Sequence, residues 1–352
     1  DFTADAAYSY VKPKIELPIN GNTFQFAPVN NFNAALNGSY TLLDFGRLKA
    51  AVQQSKNELT IAKHNKDLVQ HQLAYQIANI YFYSIYIKKA IEIQDIILNT
   101  LSENKRILES QIKNGTALEI DVLSIQSNID AEENRKTELK TMLRKQEILM
   151  EYATGVKSVA GNSFELGALL NEITKIEISN PELTLAQDKV DQAKQDVSIV
   201  SMKYRPIMGL RASMGTRNGY IPNISEMRFN YLGGVSFSMP IYNGGKIKQQ
   251  VKLQEKLADQ QTLSLESMKK TLEKDLNQSL EELNSAKERL SRSNSQIEVA
   301  KTAKLKNGTG THLETTTANT NLQRSLLNQL QLQFQVCNAQ LEVARLSGKK
   351  FW

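Results

Sequence analysis

The sequence predicts a mainly α chain with a membrane β-barrel portion, in which long antiparallel helical hairpins alternate with pairs of short strands. Three observations carry that expectation. Residues 47–113 and 246–306 contain neither Gly nor Pro and are rich in Gln, Asn, Ser, Lys and Glu. Four short segments alternate apolar and polar residues with period two. The whole arrangement occurs twice in 352 residues.

The repeat is read from matched breaks. KNGT stands at 113–116 and again at 306–309, which puts Gly115 and Gly308 193 positions apart. The small-residue ends ATG (153–155) and LSG (346–348) share that spacing. YTLLDFGRLKAAV (40–52) parallels FSMPIYNGGKIKQQV (237–251), each an alternating segment running through Gly into a basic helix start.

In order along the chain, residues 2–10 place Phe2, Ala4, Ala6, Tyr8 and Tyr10 on one face of a strand, and residues 32–42 place Phe32, Ala34, Leu36, Tyr40 and Leu42 likewise. Helix 47–113 follows, about 100 Å long at 1.5 Å per residue. Its Leu48, Val52, Ser55, Leu59, Ala62, Lys66, Val69, Leu73, Gln76, Ile80, Tyr83, Ile87 and Ala90 recur in alternating steps of four and three, a heptad seam. KNGT turns the chain into a shorter helix, 119–153. Segment 155–180 is Gly-bearing and irregular, and reads as a belt outside the helices. Asn180-Pro181-Glu182 is a helix start, with Asn as cap, Pro at the first position and an acid in the first turn. Helix 181–204 and one post-turn helix together nearly match a long helix, so two short helices stacked end to end are expected beside a long one. Two more strands follow, Met208, Leu210, Ala212 and Met214 opposing Arg211, Ser213 and Arg217, then Phe229, Tyr231, Val235, Phe237 and Met239 opposing Asn230, Ser236 and Ser238. The second long helix, 246–306, and a second short one, 312–346, complete the repeat.

Composition removes several function classes. A net charge of +6 without runs of like charge leaves no nucleic-acid footprint. Arg47, Lys49 and Lys56, and Lys246, Lys248 and Lys252, thicken the charge after two Gly breaks and read as solvated helix starts rather than a membrane-surface patch. The single cysteine, Cys337, lies in an apolar run and reads as a buried structural thiol. His64, His71 and His312 lack metal-ligand spacing and read as exposed helix positions. No phosphate loop, nucleophile motif or cofactor site stands out, so an enzyme is not expected. No 18-residue apolar run offers a transmembrane helix. The chain opens on Asp1, as a processed or trimmed form would, with its export signal out of view.

Strands of about ten residues, alternating, with aromatics near their ends, match the pattern of outer-membrane barrel strands. Four cannot close a barrel, and an open edge is not viable in lipid. Two chains would give a filled eight-stranded barrel, and three a twelve-stranded one with room for a pore.

These residues resemble the TolC-like outer-membrane efflux family. The tandem repeat, NPELTLAQDKVDQAKQDVSIVSMKYRPIM ahead of a strand, the two strand-to-helix junctions and K-N-G-T-x(4)-D/E at both turns carry the likeness over essentially the whole chain. The resemblance implies a homotrimer whose hairpins form a trimeric α-barrel and whose strands, four per chain, contribute to a 12-stranded barrel in outer-membrane lipid. Such a channel-tunnel spans into the periplasm and exports small molecules or proteins, partnered by a periplasmic adaptor (membrane fusion protein) and an inner-membrane pump. The implied division is 1–45 (barrel hairpin), 46–154 (helical hairpin), 155–180 (equatorial region), 181–204 (short helix), 205–243 (barrel hairpin), 244–348 (helical hairpin) and 349–352 (tail).

The same resemblance assigns adaptor docking to Lys113, Asn114, Gly115 and Thr116 and to Lys306, Asn307, Gly308 and Thr309, with Asp121 and Glu314 as carboxylate rings at a closed aperture. Close like charges raise carboxylate pKa values and bind cations. The chain departs from the family pattern at three positions. Leu305 replaces an aromatic and Gly310 an arginine of the gate's ties, and Thr317 replaces a second ring acid, which implies a looser gate and weaker cation block. A helix ahead of Phe2, and an upstream lipidated cysteine, are further expectations of the family. The rival reading is a soluble periplasmic coiled-coil scaffold or adaptor protein; it accounts for the helices and leaves the four strands without a role.

Overall fold

The computed structural model describes residues 1–19, 22–25, 27–155, 164, 179–306 and 312–350. Its elements in order are β1 (Phe2–Tyr10), β2 (Glu16–Ile19), β3 (Asn22–Gln25), β4 (Asn30–Leu43), α1 (Arg47–Lys113), α2 (Glu119–Thr154), α3 (Pro181–Ser201), a 3-10 turn (Met202–Tyr204), β5 (Ile207–Arg217), β6 (Arg228–Ser238), α4 (Lys246–Lys306) and α5 (His312–Ser347). They fall into two units, Asp1–Ile61 with Asp188–Leu263, and Ala62–Gln187 with Ser264–Trp352.

In the first unit β1, β4, β5 and β6 form one antiparallel sheet in that order. The two repeats therefore meet at the β4–β5 pairing, with Leu36 opposite Met214 and Tyr40 opposite Leu210. Gly215 lies where a Cβ would come within 2.1 Å of the Ala34 carbonyl oxygen, so that pairing excludes any side chain. The small hairpin β2–β3, inserted between β1 and β4, is an element the alternation argument did not mark. Asp44 turns β4 into α1: its carboxylate accepts the Leu48 N–H at 2.6 Å and the Gly46 N–H at 2.9 Å, which holds its pKa below the usual 3.8. Phe45 and Gly46 take left-handed φ values of 51° and 95° to make the corner. The start of α1 packs on the end of α3, where Gln54 donates to Asp196 at 3.3 Å and Gln195 to the Ala50 carbonyl at 3.1 Å. Burial, with Glu58 nearby, pushes the Asp196 carboxyl up.

In the second unit α1 and α2 form one antiparallel hairpin, joined where Lys105 donates to Gln126 at 2.6 Å and Lys136 pairs with Asp95. Helices α4 and α5 form the other, with Leu272, Leu276 and Leu283 packed on Val343 and Leu346. A second core joins α1 to α5 through Phe82, Ile85, Cys337 and Leu341. Burial pushes the Cys337 thiol up to about 12, an inert structural thiol as its apolar setting predicts. Phe164, the described residue of the equatorial segment, sits 6.4 Å from the Phe334 ring with the Lys89 ammonium over its face.

The end-to-end stacking read from helix lengths is present between α5 and α3. Asn180 accepts the Glu182 N–H at 2.8 Å as cap of α3 and donates to the carbonyls of Arg345 and Leu346, 3.3 and 3.2 Å away. One amide thus serves an orphan donor of one helix and orphan acceptors of the other. Gly348, φ 76°, ends α5 where a Cβ would stand 2.4 Å from the Ser179 carbonyl oxygen.

One sequence expectation is corrected. His71 is not an exposed helix position but 2% exposed, its Nε2 3.0 Å from the Arg345 carbonyl, because α5 covers that face of α1. The first part of the heptad seam faces away from the chain's own helices: Leu48, Val52, Leu59, Val69 and Leu73 are exposed, Leu48 at 69%. The covered positions are a parallel series, Gln54, Asn57, Ile61, His64, Leu68, His71, Tyr75, Ala78, Phe82 and Ile85, again in steps of three and four. α1 therefore carries two seams, and the chain itself fills one.

Candidate functional site

Register sets which side chains share a face of the sheet. Pairings of Tyr8 with Phe32, Leu36 with Met214, and Tyr231 with Met214 collect the apolar positions of all four strands on one side. That side carries no charged residue, and Phe2, Leu36, Tyr40, Met214, Tyr231 and Val235 are all exposed on it. Soluble chains rarely leave so large an apolar surface open. The opposite side holds Thr3, Asp5, Asn37 and Ser213, linked across three strands: Asn37 donates to Asp5 at 2.5 Å, Thr3 to Asp5 at 3.3 Å and Ser213 to Asn37 at 2.7 Å. Outer strands β1 and β6 each have a partner on one side only within the sheet.

The first KNGT turn closes α1 in a Schellman arrangement. Thr116 N–H bonds the Gln111 carbonyl at 2.9 Å and Gly115 N–H the Ile112 carbonyl at 2.9 Å, with Gly115 at φ 74°. Asp121 then accepts the Leu118 N–H at 3.2 Å, the acidic half of a capping box at the start of α2. Lys113, Asn114, Gly115, Thr116 and Asp121 are thus brought into one tip. Of the second tip, Asn307, Gly308, Thr309 and Gly310 lie outside the described residues, as do the side chains of Leu305, Lys306 and Glu314. Thr317 is exposed on α5.

Sequence reasoning missed two polar centres. Arg47, taken for a solvated helix start, donates to the carbonyls of Met202 at 3.1 Å, Lys203 at 3.2 Å and Arg205 at 2.5 Å. The Met202 carbonyl already accepts the Arg205 N–H at 2.9 Å, and the guanidinium forks across it and the next carbonyls where water would otherwise serve. In the second unit Glu132 of α2 receives Gln94 of α1 at 2.5 Å and Gln323 of α5 at 3.2 Å, beside a cavity of about 510 Å³. Gln94 is 1% exposed, and nothing in its local sequence, which also holds Glu92 and Asp95, sets it apart from a solvated polar residue.

A family model described as outer membrane efflux protein matches residues 13–156 and 173–349. Among solved structures, the chain is similar to the Campylobacter jejuni CmeC outer membrane channel, at a TM-score of 0.78 and 17% identity over 99% of this chain and 77% of that one. It is similar to the Vibrio cholerae outer membrane protein VceC at 0.72 and 16% identity, covering 100% and 88%. The open state of the Neisseria gonorrhoeae MtrE outer membrane channel aligns at 0.76 and 15% identity, covering 99% and 80%. No curated protein matches by sequence.

Proposed function

The chain belongs to the outer membrane efflux protein family, channel subunits of the outer membrane, and from that premise we propose that three copies assemble into the passive export duct of a tripartite efflux or type I secretion system. One observation carries the assembly: a four-stranded sheet with an exposed, uncharged apolar face and two unpartnered outer edges. Backbone groups at such edges must be paired in lipid, and pairing β6 of one copy with β1 of the next closes the circle. Twelve strands leave an aqueous lumen lined by the Asn37 and Ser213 side of each sheet. The outward seam from Leu48 to Leu73 supports the same reading, since a helix within a cylinder needs a neighbour on both sides.

Lys113, Asn114, Gly115 and Thr116, with Lys306, Asn307, Gly308 and Thr309, are proposed to meet the periplasmic adaptor that links the duct to its inner-membrane pump. Asp121 and Glu314 are proposed as the aperture's acids, with Leu305, Gly310 and Thr317 leaving its closed form loosely tied. Three copies of Asp121 already engaged with the Leu118 N–H would sit at fixed depth around the axis.

Purification tests this directly. The protein should fractionate with outer membrane, need detergent and elute as a trimer, and photo-crosslinkers at positions 113 and 306 should capture an adaptor hairpin. A monomeric species soluble without detergent would sink the assembly, and crosslinkers at both tips that capture nothing from an intact envelope would sink the docking.

A further inference from the structure

Arg324 is the one charged residue between Glu314 and Glu342 on α5. It is exposed and makes neither an ion pair nor a hydrogen bond among the described residues, and the same holds for Arg135 on α2. Both line the cavity of about 510 Å³ that lies among α1, α2 and α5. The Glu132–Gln323 bond draws α2 and α5 together there: Arg324 follows Gln323 directly, and Arg135 stands one turn beyond Glu132. The rest of the wall is largely apolar, with Ile96, Ile97 and Leu101 from α1 and Leu326 and Leu327 from α5. Glu132 is the acid among the described lining residues, and both of its oxygens already accept, one from Gln94 and one from Gln323. On the facing helices Asp95 pairs with Lys136 and Glu103 with Arg106, while Glu92 and Glu138 lie outside the lining. The cavity therefore joins an apolar wall to a surplus of positive charge.

We propose that this cavity is a binding site for an amphipathic anion, a carboxylate, sulfonate or phosphate head carried on an aromatic or acyl body. Its volume falls within the roughly 300–1,000 Å³ of sites that take small organic molecules. The head lies between Arg135 and Arg324, whose planar forks match a carboxylate, sulfonate or phosphate group, and the body lies on the Ile97 and Leu326 wall. An exposed ion pair alone is worth little in water, so a bare anion is held weakly. Burying the body against the wall adds the apolar area that the head lacks. A cationic head would meet two guanidinium groups against one carboxylate that is already engaged, which sets the sign of the ligand. The arginines belong to different hairpins, so a bound head bridges α2 and α5 as Glu132 does and stabilises their contact. Every residue of the site lies in the second unit, and the assignment goes beyond the duct reading without resting on it.

Calorimetric titration of the purified full chain in an uncharged detergent tests the assignment, with naphthalene-2-sulfonate as the probe. The wild type should bind one sulfonate per chain, at least about tenfold more tightly than inorganic sulfate, the neutral sulfonamide or the 2-naphthyltrimethylammonium cation. R324Q and R135Q should each weaken the sulfonate by about tenfold while leaving the sulfonamide unchanged, and R324K should keep part of the affinity. Circular dichroism checks that each variant is folded; should R324Q fail to fold, R135Q and A131W, which fills the cavity from an exposed position, carry the test. Decanoate and phosphatidylglycerol, titrated as competitors, distinguish a free solute from a membrane lipid as the source of the anion. A folded wild type with no saturable binding, a cation bound as tightly as the sulfonate, or a folded R324Q and R135Q with wild-type affinity would overturn the proposal. Each of those results leaves the channel reading intact, since that reading stands or falls on the detergent requirement and the trimer.

Discussion

Arg47 and Arg205 hold each other's backbone: Arg47 donates to the carbonyl of Arg205 at 2.5 Å, and Arg205 donates to the carbonyl of Phe45, two residues before Arg47, at 2.6 Å. Arg47 belongs to the first repeat and Arg205 to the second, so the crossed pair ties the corner from β4 into α1 to the corner from α3 into β5. R47A should destabilise the protein by about 2 kcal/mol, because three carbonyls lose one charged donor. R47K should recover only part of it, since an ammonium cannot fork across separate acceptors. Thermal unfolding in detergent, followed by circular dichroism, gives both values.

Asn180 separates two roles that single caps do not combine. N180A should cost about 1–2 kcal/mol through the lost cap of α3. Asp is ordinarily as good a cap as Asn, yet N180D should be worse than N180S here, because its carboxylate would face the Arg345 and Leu346 carbonyls that the amide now serves. Equal stabilities for N180D and N180S would show that the contact with α5 contributes nothing.

Two glycines in left-handed conformation should respond very differently to alanine. At Gly115 a Cβ meets nothing within 4 Å, so G115A should lose only the conformational term, about 1–2 kcal/mol. At Gly348 the same Cβ would stand 2.4 Å from a backbone oxygen, and G348A should lose about 3 kcal/mol or more. Denaturant midpoints of the two variants, measured side by side, check the ordering.

Glu342 links stability to pH. Burial would raise its carboxyl, but Arg345, bonded through both guanidinium arms at 2.6 and 3.0 Å, and Tyr75 together hold its pKa below the usual 4.5. A depressed folded pKa means the contribution is complete above the unfolded value and is lost as pH falls through the folded one. The stability gap between wild type and E342Q should therefore be constant at neutral pH and narrow once pH drops below 4.5. A gap that widened on acidification would contradict the assignment.

Periodicity made the helices legible almost to the residue, since helical spacing of apolar positions runs through 67 and 61 residues with no Gly or Pro to interrupt it. Alternation gave the four strands of the main sheet. It passed over β2–β3, whose strands are four residues each, although an Asn-Gly pair stands between them in the sequence. Helix-length arithmetic foresaw stacking, but which helices meet is decided by Asn180, whose second partners lie 165 and 166 positions away. Arg47 and His71 were misread for a related reason: no local pattern distinguishes a polar side chain in water from one bonded to a distant carbonyl. The tip around Gly115 was legible because a Schellman ending is local, whereas its counterpart at Gly308 lies outside the described residues.

The two open edges of the sheet also carry a genetic consequence. In the proposed trimer each copy lends β1 to one neighbour and β6 to the other, so a chain with a damaged edge spoils partners that are themselves intact. Co-expressed with a normal copy, such an allele should behave as a dominant poison, while an allele that makes no chain at all should be recessive.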